Sequence, residues 1–70
     1  MSSIVKVVEV IAESEKSFDD AVASAVKEVA KTVKNIKTVW VENFSCKVDG
    51  TKIKAYRVNA KVTFVVENRA

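Results

Sequence analysis

The sequence predicts an α+β fold of β-α-β-β order, in which a three-stranded antiparallel sheet packs on one amphipathic helix. Three observations predict it. Residues 4–12 and 52–67 are rich in β-branched side chains, a helical apolar period follows Ser17, and Asp49-Gly50 separates two strand-like segments. The sheet has more apolar surface than one helix can cover, so we also expect the protomer to assemble into a closed homo-oligomer.

Residues 1–70 are expected to form a single domain, and a chain of this length buries only about 60% of the surface that its unfolded form exposes. Domains of this size gain stability from disulfides, a structural metal or self-association. Cys46 is the only cysteine and there is no histidine, which excludes an internal disulfide and a zinc site of the Cys/His type. Self-association therefore remains as the expected source of added stability.

The first strand is predicted over residues 4–12, where the only charges are Lys6 and Glu9. Because β-branched side chains occur at both odd and even positions, we expect this strand to be buried on both sides. Ser17 and Asp20 then form a capping pattern, which predicts a helix from Phe18.

The helix is expected to continue for about four turns and to end near Asn35, a residue that tolerates left-handed backbone geometry. Its apolar side chains recur at spacings of three and four and should face the sheet. They are Phe18, Val22, Ala25, Val29 and Val33. Ala21 is expected to raise helix propensity or to allow a close approach.

Residues 36–48 predict the second strand, and simple alternation divides its side chains between two faces. One face would carry Val39, Val41, Asn43 and Ser45, and the other Thr38, Trp40, Glu42, Phe44 and Cys46. Asp49-Gly50 predicts a hairpin, so the third strand should pair antiparallel with the second. Six alternating residues of the third strand should face the helix: Tyr56, Val58, Ala60, Val62, Phe64 and Val66.

No catalytic set is recognisable, because the chain lacks histidine, a glycine-rich phosphate loop and a nucleophile elbow. We therefore expect a protein that is not an enzyme, with Cys46 as a packed thiol. The net charge of +3 comes from scattered basic residues, and the lysines of the helix are interpreted as a solvated face. No nucleic-acid partner, signal peptide or membrane span is predicted, and the expected location is the cytoplasm.

Two side chains on the face away from the helix leave alternatives open. Trp40 is suited either to stacking on a flat heteroaromatic ligand or to packing against another subunit. Glu42 is suited either to an ion pair with a lysine across the sheet or to contact with a ligand or cation.

Taken together and in order, several segments resemble the dodecins, small flavin-storage proteins, over residues 4–67. They are the opening VKVVEVIAESEKSFDDAVASAV, the helix exit VKNIK, the Asp-Gly hairpin and the strand AYRVNAKVTFVVE. The resemblance implies a β-α-β-β protomer assembled into a hollow homododecamer. It also implies that riboflavin or FMN is bound and sequestered at subunit interfaces.

In flavin-binding members of that family, a tryptophan early in the second strand stacks on the flavin ring and a glutamine of the third strand contacts the ring's edge. The matching positions here are Thr38 and Arg57, so both residues depart from the pattern. Trp40, two residues further on, is the available stacking side chain. The expected cofactor-binding residues are therefore Thr38, Trp40 and Arg57, with no metal ligand assigned.

Two functions follow as hypotheses. The first is storage and sequestration of FMN or riboflavin by a dodecin-like homododecamer. The second is a dodecin-like shell that binds no flavin and takes another small anion or a metal ion through Arg57, Lys61 and Glu42.

Overall fold

The predicted order of elements is confirmed. The computed structural model describes the backbone of residues 2–69 and the side chains of residues 3–66. It contains β1 (Ser2–Ser14), α1 (Phe18–Ala30), β2 (Ile36–Asp49) and β3 (Lys52–Arg69). The sheet has the order β1-β3-β2, and both pairs of neighbours are antiparallel. The last strand in the sequence, β3, is therefore the central one, and β1 and β2 each form their sheet hydrogen bonds with it.

The start of α1 agrees with the capping pattern. The backbone N–H of Asp20 donates to the Ser17 side-chain oxygen at 2.9 Å. Ser14, the last residue of β1, is buried, and its hydroxyl donates to the Asp20 carboxylate at 2.6 Å while accepting from the Lys16 N–H at 2.9 Å. The bond to Ser17 satisfies a free amide at the helix start, and the two bonds of Ser14 fix the direction in which the chain leaves the strand.

The end of α1 comes earlier than the sequence predicts. The helix stops at Ala30, so Val33, which was assigned to the apolar stripe, lies in the following loop. Asn35 does adopt left-handed geometry, with φ of 63°, but within that loop and not at the helix end. Its carbonyl accepts a hydrogen bond from the Val65 N–H at 3.1 Å, which attaches the loop to β3.

The core lies between α1 and the centre of β3. Its most buried members are small or β-branched: Ala21, Ala25 and Val29 from the helix, and Val58, Ala60 and Val62 from the strand. Ala21 is fully buried, whereas Val22, which was placed in the apolar stripe, is only partly so. Small side chains at the contact let the helix approach the sheet closely, which is the second role expected of Ala21.

The faces of β2 differ from the prediction because of a β-bulge. Val41 pairs with Ala60 and Asn43 pairs with Asn59, so Glu42 is an extra residue in the strand. One extra residue moves every later side chain to the opposite face. Phe44 consequently lies on the helix side, where its ring meets that of Phe18 edge to face at 5.1 Å. The prediction that Phe44 shares a face with Trp40 is wrong.

The β2–β3 hairpin extends past the helix. Asp49 pairs with Lys52, and Gly50 opens the two-residue turn with φ of 66°, as the Asp-Gly signal predicts. Cys46 is exposed in the protomer, so the prediction of a packed thiol is wrong at this level of structure. The helix covers only the first part of this hairpin arm, which leaves Val48 and Ile53 exposed.

Strand β1 is covered on one side only. Val8 and Val10, which pair with helix-facing residues of β3, are partly buried, whereas Val7 and Ile11 on the other side are more than half exposed. The expectation of burial on both sides is therefore wrong for a single protomer. No helix within residues 2–69 has the length and apolar character that a membrane span requires.

Candidate functional site

The side of the sheet that faces away from α1, here called the open face, is organised in rows that cross all three strands. The antiparallel register aligns Val7 of β1 with Thr63 of β3 and Thr38 of β2. The next row on the same face contains Glu9, Lys61 and Trp40. Residues in one row are about 5 Å apart across the sheet.

These two rows form an open depression of about 530 Å³. Its lining consists of the six side chains of the two rows: Val7, Glu9, Thr38, Trp40, Lys61 and Thr63. A volume of this size falls within the range of about 300–1,000 Å³ that is typical of small-molecule sites. Two of the three predicted site residues, Thr38 and Trp40, are thus brought together.

Trp40 supplies the largest apolar surface of the depression. Its side chain is 69% exposed, so an aromatic face is available to a partner. The Lys61 Nζ lies 6.0 Å from the centre of the Trp40 ring, at the outer limit of a cation–π contact. The same Nζ is 3.4 Å from the Glu42 carboxylate, which confirms the predicted ion pair between Glu42 and a lysine across the sheet.

Thr38 and Thr63 form the polar floor of the depression. Their hydroxyl groups are hydrogen-bonded to each other across the two strands, and both side chains are at least partly accessible. The Thr63 hydroxyl also lies 3.5 Å from the Thr38 carbonyl oxygen. A hydroxyl both donates and accepts, so this pair offers mixed polarity to the edge of a bound ring.

Arg57 lies apart from the depression. It is four residues along β3 from Lys61, or about 13 Å in an extended strand. Its Nε and Nη2 donate to one Glu13 carboxylate oxygen at 3.2 and 2.9 Å. The Lys47 Nζ is 3.7 Å from the same oxygen. Within one protomer, Arg57 is not brought together with Thr38 and Trp40.

The Glu13 cluster predicts a measurable pH dependence. The hydrogen bond from Arg57 lowers the pKa of the Glu13 carboxyl below its usual 4.5, with a further contribution from the charge of Lys47. A lowered pKa in the folded state means that the stabilisation is present above pH 4.5 and is lost as the pH falls through the folded pKa. We expect an NMR titration to give a Glu13 pKa below 4.5.

Two substitutions separate the causes of this shift. Arg57→Gln should raise the Glu13 pKa towards 4.5, and Lys47→Gln should raise it by less, because the Arg57 hydrogen bond is the larger cause. Equal effects of the two substitutions would contradict this ranking.

No dedicated metal centre is visible in the part of the chain that the structure describes. Among those residues, no three or more Asp, Glu, Cys or His side chains lie close enough to hold an ion. Glu9 lies opposite Lys61 in the register and Glu42 is 3.4 Å from the Lys61 Nζ, so one lysine accompanies both carboxylates. A cation site would therefore need carboxylates from more than one protomer.

Four of the lining residues were not predicted from the sequence to share a site with Thr38 and Trp40: Val7, Glu9, Lys61 and Thr63. Lys61 and Thr63 alternate with the residues of the third strand that were predicted to face the helix, and both lie on the open face. The missing information was the register that aligns β1 and β2 with β3. The Asp-Gly hairpin indicates the β2–β3 pair, but no local signal decides whether β1 pairs with β3 or with β2.

Comparisons with known proteins agree with this architecture. The family model for dodecins matches residues 4–67. Among solved structures, the chain is similar to the dodecin of Streptomyces davaonensis, with 18% identity, a TM-score of 0.89, and 97% of this chain and 100% of that one covered. An arginine-to-alanine variant of the Thermus thermophilus dodecin gives 24% identity and the same TM-score, covering 96% and 100%.

A third similar structure is described as a calcium-chelating dodecin from Mycobacterium tuberculosis with a calcium-binding site. It is 30% identical, has a TM-score of 0.80, and the match covers 97% of each chain. A search of curated proteins gave no significant match.

Proposed function

Since this chain belongs to the dodecin family, we propose that it is a homo-oligomeric binding protein that stores and sequesters a flavin, either riboflavin or FMN. The single observation that carries the proposal is the depression around Trp40, an exposed indole beside two hydrogen-bonded threonine hydroxyls. Because a flavin ring is flat and apolar on its faces but polar at its edges, these groups match it.

The proposed assembly is a closed homododecamer that covers the open face. Val5, Val7, Ile11 and Trp40 are each more than half exposed there. Val48 and Ile53 are similarly exposed on the hairpin arm. Exposed apolar surface of this extent is uncommon on soluble monomers and marks sites of association. In a closed assembly the same surface would be buried between protomers, with the ligand held at the junction.

In this proposal Trp40 stacks on the flavin ring, and Thr38 contacts its polar edge. Arg57 is about 13 Å along the strand from the row of Trp40. It would therefore contact the ligand's side chain or a ligand held mainly by a neighbouring protomer. The pairing of Arg57 with Glu13 leaves the guanidinium fixed in direction, which suits it to orientation of a ligand.

The proposed role is binding and not catalysis, in the cytoplasm, without nucleic-acid or membrane partners. The six side chains that line the depression offer a stacking surface and hydrogen bonds, with no histidine or cysteine among them. The exposed thiol of Cys46 fits a reducing compartment.

The test combines mass and ligand binding. The purified protein is expected to have a mass in solution that is about twelve times that of the 7.7 kDa chain. On titration, riboflavin or FMN fluorescence should be quenched, because stacking on an indole deactivates the excited ring. A folded monomer would contradict the assembly, and a large oligomer with no quenching of either flavin would contradict flavin storage.

A shell that binds an ion and no flavin is the second candidate. The observation in its favour is the 30% identity to a dodecin described as chelating calcium. A metal ion would be bound by Glu42 and its copies in symmetry-related protomers. A small anion would instead be bound by Lys61 and Arg57. Calorimetric titration of the assembled protein with calcium tests this candidate. Heat of calcium binding, together with no quenching of flavin fluorescence, would favour it.

A further inference from the structure

Three cations around the open face are each paired with a carboxylate. Lys61 is 3.4 Å from Glu42, Arg57 is 2.9 Å from Glu13, and Lys47 is 3.7 Å from Glu13. Glu9, the remaining carboxylate of this group, is directly opposite Lys61 in the register. Three carboxylates therefore balance three cations, and each of these cations already has a carboxylate within 4 Å.

This pairing disfavours an added anion near the depression. A phosphate monoester carries a charge of about −1.5 to −2 at neutral pH. To bind it, Lys61 or Arg57 would have to leave its carboxylate, and that carboxylate would then repel the phosphate. Within the depression itself, Lys61 is the only cation among the six lining residues and Glu9 is the only carboxylate. A neutral ligand meets neither cost.

We propose that the depression discriminates between flavins by charge and favours riboflavin, the uncharged flavin, over its phosphate ester FMN. This inference rests on the proposed flavin site. The ring contacts with Trp40 and Thr38 are the same for both ligands. The preference therefore comes from the paired charges that surround the ring site. Glu42 and Glu13 act as specificity-determining residues because they neutralise the cations that would otherwise attract a phosphate.

The experiment compares the two ligands by fluorescence quenching of the assembled protein. At low ionic strength, riboflavin is expected to bind about threefold or more tightly than FMN, the effect of modest repulsion between exposed charges. Added salt should narrow this difference, because screening weakens repulsion. If FMN were attracted to the site, salt would weaken its binding instead.

Charge-removing variants test the assigned residues. Glu42→Gln leaves Lys61 without its carboxylate partner, and Glu13→Gln does the same for Arg57 and Lys47. Each is expected to improve FMN binding relative to riboflavin by about threefold. Glu28→Gln is the matched control, because it removes the same charge from the Glu28–Lys31 pair of α1, on the other side of the sheet. It should leave the ratio unchanged.

Lys37 needs its own variant, because it is a cation outside these pairs and lies in a bulge of β2 between Ile36 and Thr38. It is not among the residues that line the depression. Lys37→Gln is expected to leave the ratio of the two affinities unchanged. A large loss of FMN binding in this variant would overturn the inference.

The outcomes separate this inference from the function on which it rests. Equal affinities, or tighter binding of FMN at low ionic strength, would overturn the charge discrimination while leaving flavin storage intact. Quenching of neither ligand would overturn flavin storage itself. A ratio that shifts equally in Glu42→Gln and Glu28→Gln would show that only the net charge of the protein matters.

Discussion

Val58→Asp is expected to abolish the folded protomer. Val58 is fully buried, on the central strand and opposite the helix, so the new carboxylate would be cut off from water without a partner. An unpaired buried charge costs several kcal/mol, and a domain of this size is stabilised by only about 4–10 kcal/mol. Circular dichroism and urea denaturation should show loss of the cooperative unfolding transition.

Asn59→Asp is the matched control for this prediction. Asn59 is the next residue of the same strand and pairs on the open face with Ile11 and Asn43. The same carboxylate introduced there remains accessible to water, so the protomer should still fold. If Val58→Asp had the same denaturation midpoint as Asn59→Asp, the assignment of the two faces of β3 would be wrong.

The fold was predictable because local signals and the apolar pattern agree. The capping bond from the Asp20 N–H to Ser17, the Gly50 turn and the alternation in the centre of β3 each appear where the sequence places them. The alternation does not hold at the end of β3, because Val66, which was predicted to face the helix, is more than half exposed. Helix length was less predictable. The apolar period continues to Val33, but the loop is attached to β3 through Asn35, a long-range contact that periodicity does not encode.

The site was only partly predictable, and the reason is the bulge at Glu42. Strict alternation puts Trp40 and Phe44 on one face, and no glycine or proline marks the point where alternation fails. The bulge sends Phe44 to the helix, where it meets Phe18, and leaves Trp40 as the single aromatic side chain of the depression. The neighbours of Trp40 depend on register across three strands, which pattern alone does not determine.

The distance between Arg57 and the depression also follows from the register of the strands. Thr38 and Arg57 were assigned to one site from a family resemblance, yet the register places them six residues apart along β3, or about 20 Å. Family positions that belong to one ligand site can thus be distant within one protomer. This separation is itself a reason to expect that the complete site is formed by more than one copy of the chain.

Trp40→Ala is expected to remove most of the flavin affinity while leaving the protomer folded. Stacking of a heteroaromatic ring on an aromatic side chain contributes about 1–3 kcal/mol, so flavin binding should weaken by about fivefold to 150-fold. Trp40 is 69% exposed and pairs with Lys61, so its removal should change the stability of the protomer by less than about 0.5 kcal/mol. Fluorescence quenching and urea denaturation measure the two quantities separately.

Phe44→Ala is the matched control for Trp40→Ala, because Phe44 belongs to the same strand but lies past the bulge, on the opposite face. Its edge-to-face contact with Phe18 predicts a loss of about 1 kcal/mol of protomer stability, with flavin affinity retained. The opposite result, in which Phe44→Ala abolishes quenching and Trp40→Ala does not, would place the ligand on the other face. Should Trp40→Ala instead dissociate the assembly without unfolding the protomer, the indole would be a subunit contact and not a stacking surface.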